Sequence, residues 1–174
     1  MGQSDSFPEV QVPDSFESFY RSEYGAVVAL AYGLSGTRWT AEDLAQEAFL
    51  RVHRDWERVS EMESPAGWVR RIVINLSNSR FRRLRSETTA RLRLASQSST
   101  ASAPPQESSE FWREARRLPK QQAAVVALRY IDDLSIAQIA DVLGIAEGTV
   151  KALLHTARSR LGQILLAKGL IDEV

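Results

Sequence analysis

The segment from Asp133 to Leu161 constrains the fold most, because apolar residues recur at helical spacing on both sides of one glycine. The first set lies on a single helical face and comprises Ile136, Ile139, Ala140 and Leu143. Ser135 is placed to cap that helix. Gly144 is placed to end it, since glycine adopts the left-handed conformation without steric cost. A second helix is predicted from about Glu147, with apolar residues at Val150, Leu154, Ala157 and Leu161. The segment therefore predicts a helix-turn-helix, a DNA-binding motif.

The second helix of this motif would present a polar face to solvent. The residues predicted on that face or at its start are Glu147, Thr149, Lys151, Ala152, His155 and Arg158. A helix with one face packed and the other free can enter the major groove of duplex DNA. These six residues are therefore candidates for duplex binding.

Composition excludes several classes of protein. A chain of 174 residues with 44% hydrophobic residues fits one or two small domains. It has no cysteine and two histidines far apart in sequence, which makes a zinc site or a cysteine nucleophile improbable. No run is long and apolar enough to span a membrane, and no export signal is evident. We expect a cytoplasmic protein with no metal, no cofactor and no small-molecule substrate.

Charge is sorted along the chain although the net charge is zero. Residues 1–64 carry a net charge of −7, whereas residues 65–95 carry eight arginines against the single acid Glu87, a net charge of +7. A basic block of this kind is an electrostatic footprint for phosphate. A solvated helix face is the alternative for any charge run.

Helical patterns and breaks predict an all-α chain of two small domains. Residues 1–13 are predicted to be a disordered tail. Three helices follow, beginning at Asp14 with a capping box to Glu17, at Thr40, and at Pro65 behind a Ser64 cap. The second is predicted to run to about Trp56 or Arg58, and the third to Leu84. The low-complexity residues 96–109 predict a flexible linker, after which helical pattern resumes near Glu110 and pauses at Pro119. The chain is therefore predicted to consist of a first domain over residues 14–86, a linker over 87–110, a second domain over 111–168 and a short tail over 169–174.

The third predicted helix has two distinct faces. Trp68, Ile72 and Leu76 would pack inward, and a polar stripe of Arg71, Asn75, Asn78 and Arg82 would face outward. Trp56 also falls on an apolar stripe, so both tryptophans are predicted to be core residues rather than stacking platforms for bases.

Three blocks taken together, Thr40–Val52, Gly67–Arg83 and Leu134–Leu161, resemble an extracytoplasmic-function sigma factor of the sigma-70 family. The resemblance covers about residues 14–166. It implies a non-catalytic transcription initiation factor whose first domain, region 2, binds core RNA polymerase and the melted minus-ten strand. The second domain, region 4, would read the minus-thirty-five element as duplex. The implied partners are the β and β′ subunits of core polymerase, duplex promoter DNA and its melted non-template strand. An anti-sigma protein clamped on both domains is a further implied partner.

The resemblance assigns residues to each surface. It implies a polymerase-binding set of Glu42, Asp43, Gln46, Glu47 and Phe49. It implies a minus-ten set of Arg71, Asn75, Asn78, Arg80, Arg82 and Arg83, in which Asn75 lies next to an unstacked base. The loop over residues 59–63 would help form the base pocket. The minus-thirty-five set is the helix-turn-helix face given above, Glu147, Thr149, Lys151, Ala152, His155 and Arg158.

Four positions depart from the family pattern. Ala152, Leu153 and Thr156 replace a serine and two arginines of the usual recognition helix, which predicts weaker or shifted base preference. Ala152, Leu153 or Thr156 could instead contact thymine methyls, or Leu153 could add to the apolar core of the domain, and the sequence leaves both open. Ser79 stands where many members have an aspartate.

Two other functions remain as alternatives. A stand-alone helix-turn-helix regulator would bind duplex DNA but would leave the acidic block and the Asn75 stripe unexplained. A metal-dependent nuclease would use the carboxylates of Asp43 and Glu47, which are spaced i, i+4, but no second ligand helix is evident.

Overall fold

The computed structural model describes residues 15–94 and 110–171, and all regular structure in these ranges is helical. The predicted tail over residues 1–13 and the low-complexity residues 96–109 lie outside the described residues. Eight helices are found in the described ranges: α1 Phe16–Ser35, α2 Arg38–Arg54, α3 Trp56–Ser60, α4 Pro65–Leu94, α5 Glu110–Ala115, α6 Lys120–Tyr130, α7 Ile136–Leu143 and α8 Glu147–Ala167. The all-α prediction is therefore confirmed. None of these helices is long and apolar enough to cross a membrane.

Hydroxyl side chains cap the first helices, but not at every predicted position. Ser15 Oγ accepts from the Ser18 backbone N–H at 3.2 Å, so α1 is capped one residue after Asp14. Thr37 Oγ1 accepts from the Thr40 N–H at 3.3 Å, which starts α2 at Arg38 and corrects the predicted start at Thr40. The predicted Ser64 cap of α4 is confirmed, since its Oγ accepts from the Gly67 N–H at 3.0 Å.

The ends of two helices differ from the prediction. The second helix ends at Arg54, and α3 is a separate short helix. Helix α4 corresponds to the third predicted helix. It continues to Leu94, ten residues beyond the predicted end at Leu84 and through the first part of the predicted linker. No glycine or proline interrupts residues 84–94, so hydrogen bonding along the helix continues although residues 84–89 are all exposed.

The helices α1 to α4 share one core. Its fully or nearly fully buried residues are Phe19, Val27, Ala31, Ala41, Leu44, Ala45, Ala48, Phe49, Val52, Val59, Val69 and Val73. Trp56, Trp68, Ile72 and Leu76 are half-buried against this core, as their helical spacing predicted. Small alanines on α2 let it approach α1 closely, and α4 packs across both.

The helices α5 to α8 share a second core that holds the helix-turn-helix together. The capping box of α7 is complete: Ser135 Oγ accepts from the Gln138 N–H, and Gln138 Oε1 accepts from the Ser135 N–H. Gly144 ends α7 at a φ of +66°, which confirms the predicted left-handed turn. The recognition helix α8 begins at Glu147 as predicted.

We expect Ser135→Ala to lower the free energy of unfolding by about 1 kcal/mol, because it leaves first-turn N–H groups of α7 without their cap. Ser159→Ala is the matched control, since Ser159 is exposed within α8 and caps nothing. Urea unfolding of both variants measures the difference. Equal midpoints for the two would show that the capping box does not stabilise the helix-turn-helix.

The two groups of helices also pack against each other. Leu30 of α1 and Ile74 of α4 are buried in the core of the carboxyl-terminal helices. At Gly33 of α1 the approach is so close that an added Cβ would lie 2.1 Å from Ile131 Cδ1. The sequence had predicted two domains joined by a linker, and this contact between them was not predicted.

Candidate nucleic-acid interface

An exposed face of α2 combines acidic and large apolar side chains. Its members recur every three or four residues and therefore share one side of the helix: Trp39, Asp43, Gln46, Glu47 and Leu50. The side chains of Trp39 and Leu50 are 80% and 65% exposed, unusually high for such large apolar groups. This set is called the α2 face below.

The acidic residues on and beside the α2 face are paired with arginines on the protein surface. Arg38 Nε donates to Glu42 at 2.8 Å, Arg51 Nε donates to Glu47 at 2.9 Å, and Arg80 Nη1 of α4 donates to Asp43 at 2.7 Å. These side chains remain well exposed, so each ion pair contributes only about 0–1 kcal/mol and can be exchanged for a pair with another protein.

Phe49 does not lie on this face, which corrects its place in the predicted polymerase-binding set. It is 2% exposed and packs against the rings of Phe19, Tyr20 and Tyr24. The Phe49 side chain points into the core. It therefore packs beneath the α2 face and cannot contact a partner protein directly. Sequence reasoning missed Trp39 and Leu50, although their spacing from Asp43 and Gln46 was the signal that could have found them.

The polar stripe predicted on α4 is divided between exposed and covered residues. Asn75 and Arg82 are exposed, as are the neighbouring Arg80 and Arg83. Arg83 Nε donates to Glu87 at 3.3 Å, and Arg80 is the partner of Asp43. Arg71 and Asn78 are half-buried, because helices of the carboxyl-terminal group lie against them.

Arg71 is bound to the carboxyl-terminal end of α7. Its Nε donates to the Val142 carbonyl and its Nη2 donates to the Asp141 carbonyl, both at 2.7 Å. The last carbonyls of a helix lack partners within the helix and attract cations. A cleft of about 350 Å³ adjoins this contact, lined on one side by Met62, Trp68 and Arg71 and on the other by Leu134, Gln138 and Val142.

Arg70, beside it in sequence, is almost fully buried and makes three hydrogen bonds. It donates to Glu23 at 2.7 Å, to Asp132 at 2.8 Å and to the Ala66 carbonyl at 2.9 Å. Burial alone would lower the pKa of Arg70, but the Asp132 and Glu23 carboxylates outweigh it and raise this pKa. Arg70 therefore stays charged and joins α1 and α4 to the segment between α6 and α7. The sequence had placed it only in the basic block, because its partner Asp132 is remote in sequence.

The recognition helix α8 presents its predicted outer face to solvent. Glu147, Thr149, Lys151, Ala152, His155 and Arg158 are all exposed. Arg158 is held in place, since its Nε donates to the Tyr130 hydroxyl at 2.6 Å and its guanidinium lies 5.7 Å from the centre of that ring. Leu153 is half-buried against the carboxyl-terminal core, which favours the apolar-core interpretation left open by the sequence.

No group of three or more histidine, cysteine, aspartate or glutamate side chains within residues 15–94 and 110–171 is arranged to hold a metal ion. The Asp43 carboxylate, one of the two in the nuclease alternative, is instead bound by Arg80.

Comparison with known proteins agrees with the division seen in the fold. The family model described as sigma-70 region 2 matches residues 19–87, and that described as sigma-70 region 4 matches residues 108–161. The chain is similar to the ECF RNA polymerase sigma factor SigM of Mycobacterium tuberculosis, with 32% identity over 87% of this chain and 77% of that protein. It is also similar to the RNA polymerase sigma-E factor of Streptomyces coelicolor, with 30% identity over 89% of this chain and 88% of that protein.

One solved structure resembles most of the chain. It is the sigma factor RpoE of Bartonella quintana in complex with the anti-sigma factor NepR, with a TM-score of 0.68 and 25% identity. The match covers 86% of this chain and 96% of that one.

Proposed function

The chain belongs to the extracytoplasmic-function group of the sigma-70 family, and we propose that three of its surfaces direct core RNA polymerase to promoters and help to melt them. A sigma factor is an initiation subunit, so the polymerase performs the chemistry. The observation that carries the proposal is the presence, on one helical scaffold, of the exposed α2 face, the α4 stripe and the outer face of α8.

We assign the α2 face to the docking of core polymerase on its β′ subunit. A large exposed tryptophan beside carboxylates is typical of an interface anchor, since aromatic residues supply most of the binding energy of an interface and charges fix its register. Trp39 and Leu50 would supply apolar area, and Asp43, Gln46 and Glu47 would meet basic and polar groups of the polymerase. Glu42 lies at the edge of this face, tied to Arg38.

We assign the α4 stripe to the melted minus-ten strand. Asn75 is exposed and carries both a donor and an acceptor, so it can pair with the edge of a base that has left the stack. Arg82 and Arg83 both lie about two turns further along α4, where their charges can neutralise the backbone of the captured strand. Arg80 would join them if its bond to Asp43 is exchanged when polymerase docks. Capture of the strand lowers the free energy of the open promoter.

We assign the outer face of α8 to the minus-thirty-five duplex. Lys151, His155 and Arg158 are spaced to contact base edges and phosphates of one groove. Thr149 lies in the first turn of α8, which is the end of a recognition helix that enters the groove. Ala152 and Thr156 present small apolar surfaces suited to thymine methyl groups.

We expect the double substitution Lys151→Ala and His155→Ala to weaken binding to the minus-thirty-five duplex by about 2 kcal/mol or more, roughly thirtyfold, because base-edge contacts contribute about 1–3 kcal/mol each. Arg160→Ala is the control, since Arg160 is exposed on the opposite side of α8. Fluorescence anisotropy on a promoter mapped with the wild-type chain measures both. Unchanged affinity and promoter choice in the double variant would remove α8 from base recognition.

The same assignment divides the chain functionally into residues 14–86 for polymerase and minus-ten binding and residues 111–168 for minus-thirty-five binding. Of the predicted linker over 87–110, residues 87–94 belong to α4. Because its proposed partners are RNA polymerase and chromosomal DNA, we expect the chain to act in the cytoplasm. The complex formed by the Bartonella quintana sigma factor supports an anti-sigma protein as a partner of this chain. The family resemblance implies that such a protein would contact both halves.

The experiment that tests the proposal mixes the purified chain with core polymerase free of other sigma factors. We expect a stable complex in gel filtration and transcripts from genomic DNA fragments that depend on the chain. Binding to duplex DNA without a polymerase complex would instead identify a stand-alone helix-turn-helix regulator.

A further inference from the structure

We propose that the packing of the carboxyl-terminal helices on the amino-terminal helices is an autoinhibitory contact. In this closed arrangement the helix-turn-helix unit occupies part of the α4 stripe, and it must move away before the stripe can hold promoter DNA. The inference rests on the proposed function, because it assigns regulation to the same DNA-binding residues.

The first observation is the state of Arg71. This side chain belongs to the α4 stripe, yet its Nε and Nη2 groups are directed at the Val142 and Asp141 carbonyls at 2.7 Å. Both carbonyls lie in the last turn of α7, where a cation satisfies acceptors that the helix leaves open. A guanidinium held in this way cannot reorient toward the phosphates of a captured strand. DNA and α7 therefore compete for Arg71.

A second contact is made with the backbone of α4 about two helical turns further along the stripe. Lys120 Nζ, at the start of α6, donates to the Asn78 carbonyl at 3.0 Å and lies 5.8 Å from the centre of the Phe81 ring. The carboxyl-terminal helices thus contact the stripe at both Arg71 and Asn78. Asn75 remains exposed between them.

A buried ion pair joins the same two halves. Arg70 of α4 is 8% exposed and binds Asp132, whose side chain is only 2% exposed. Asp132 lies in the segment between α6 and α7, so this pair exists only while the halves are packed together. Removing Asp132 leaves the buried Arg70 guanidinium with Glu23 as its one carboxylate partner in the closed form, whereas the same charge is hydrated when the halves separate.

Apolar packing supports these polar contacts. Leu30 is fully buried and Ile74 is 4% exposed, both within the core of the carboxyl-terminal helices. Gly33 permits a close approach of the two halves, because the three atoms nearest to an added Cβ would all belong to Ile131 and Trp112. The glycine thus makes room for the other half of the chain.

Closure of this kind lowers the apparent affinity of the chain for DNA. The apparent dissociation constant is the intrinsic constant divided by the fraction of molecules that are open. The low-complexity sequence over residues 96–109 predicts a linker that lets the halves separate without unfolding. Docking of polymerase or of another protein partner on either half can then supply the energy that opens the chain.

Two substitutions open the chain without touching the proposed DNA-binding residues. Gly33→Leu places a side chain where Ile131 and Trp112 now lie, while improving the helix propensity of α1. Asp132→Ala removes the partner that Arg70 has in the carboxyl-terminal half, while its ion pair with Glu23 in the amino-terminal half remains. Gly25→Leu is the matched control, because it makes the same change in the same helix at a position where an added Cβ meets nothing within 4 Å.

The test uses the full chain and two readouts. Because the natural sequence has no cysteine, cysteines introduced at the exposed Ser18 and Ser159 can carry a pair of dyes that reports the separation of the halves. The binding probe is a fluorescein-labelled single-stranded DNA of randomised sequence. We expect Gly33→Leu and Asp132→Ala to lower energy transfer and to bind the probe about tenfold more tightly than wild type, the gain expected if closure is about tenfold favoured. Gly25→Leu should match the wild type in both readouts.

Two results would overturn the inference: energy transfer in both variants equal to that of the wild type, or lower energy transfer with no gain in affinity. Circular dichroism of each variant confirms that both halves stay folded. Initiation by wild-type chain and core polymerase is measured separately. If that initiation occurs while the variants fail to gain affinity, autoinhibition is wrong and the proposed function stands.

Discussion

Replacing Trp39 by alanine and Glu47 by arginine should reduce the affinity of the chain for core RNA polymerase by at least about a hundredfold, since loss of an interface anchor and reversal of a complementary charge together cost about 3 kcal/mol. Trp39 is 80% exposed and packs against little of its own protein, so its removal should leave the fold unchanged. Arg51, the present partner of Glu47, would face a like charge on an exposed helix surface. Titration of fluorescent core polymerase with each chain measures the affinity.

The control for the Trp39→Ala, Glu47→Arg variant reverses the charge of another exposed glutamate, Glu17 on α1. Glu17 forms an exposed i, i+4 ion pair with Arg21 on α1, as Glu47 does with Arg51 on α2. Glu17→Arg should therefore bind polymerase like the wild type. Comparable losses in both variants would mean that net charge governs binding, and retained affinity in the double variant would exclude the α2 face as the docking site.

Replacing Asn75 by leucine should lower the rate of promoter opening by about tenfold to a hundredfold, because a captured base would face an apolar side chain of similar size and lose its hydrogen-bond partner, at about 1–3 kcal/mol. Asn75 is exposed on a helix, so the substitution should not destabilise the fold. Permanganate reactivity of unpaired thymines on a chain-dependent promoter follows the opening directly. Formation of the closed complex should be unaffected, since α8 is unchanged.

Ser77→Ala serves as the control, because Ser77 is half-buried on the opposite side of α4 from Asn75. A template that is already melted over the minus-ten element should recover part of the lost rate, since less energy is then required from strand capture. Wild-type opening rates in Asn75→Leu, or the same loss in Ser77→Ala, would remove Asn75 from base capture.

Local sequence signals predicted most of the helices and the whole helix-turn-helix. Ser135, Gly144 and Ser64 act as the sequence indicated, because caps depend on residues a few positions away. The predicted starts of α1 and α2 were wrong because each lies near more than one residue that can cap a helix. The caps are Ser15 and Thr37, and backbone geometry decides which of the neighbouring candidates caps the helix.

Contacts between remote residues were beyond sequence reasoning. Arg70 and Asp132 form a buried pair, and no local pattern distinguishes Arg70 from the other arginines of the basic block. Likewise Phe49 was assigned to a surface by resemblance, whereas its ring lies in an aromatic cluster with Phe19 and Tyr20. Which side of a helix is covered depends on how the helices pack, and the packing of the two halves had no signature in the sequence.

The two sequence blocks of opposite charge form ion pairs with each other in the structure. The net −7 and +7 of residues 1–64 and 65–95 suggested separate acidic and basic surfaces. In the fold, Arg80 binds Asp43 and Arg70 binds Glu23, so part of each block neutralises the other. Arg82 and Arg83 remain exposed for phosphate. The electrostatic footprint on α4 is therefore smaller than the sequence alone indicated.

The most direct test of the account is the mapping of transcription start sites on genomic fragments, with core polymerase in the presence and absence of this chain. The account predicts start sites that require the chain, share two upstream sequence elements at a fixed spacing, and disappear when the α2 face carries Trp39→Ala and Glu47→Arg. Start sites that are the same with and without the chain, although the chain binds DNA, would contradict it.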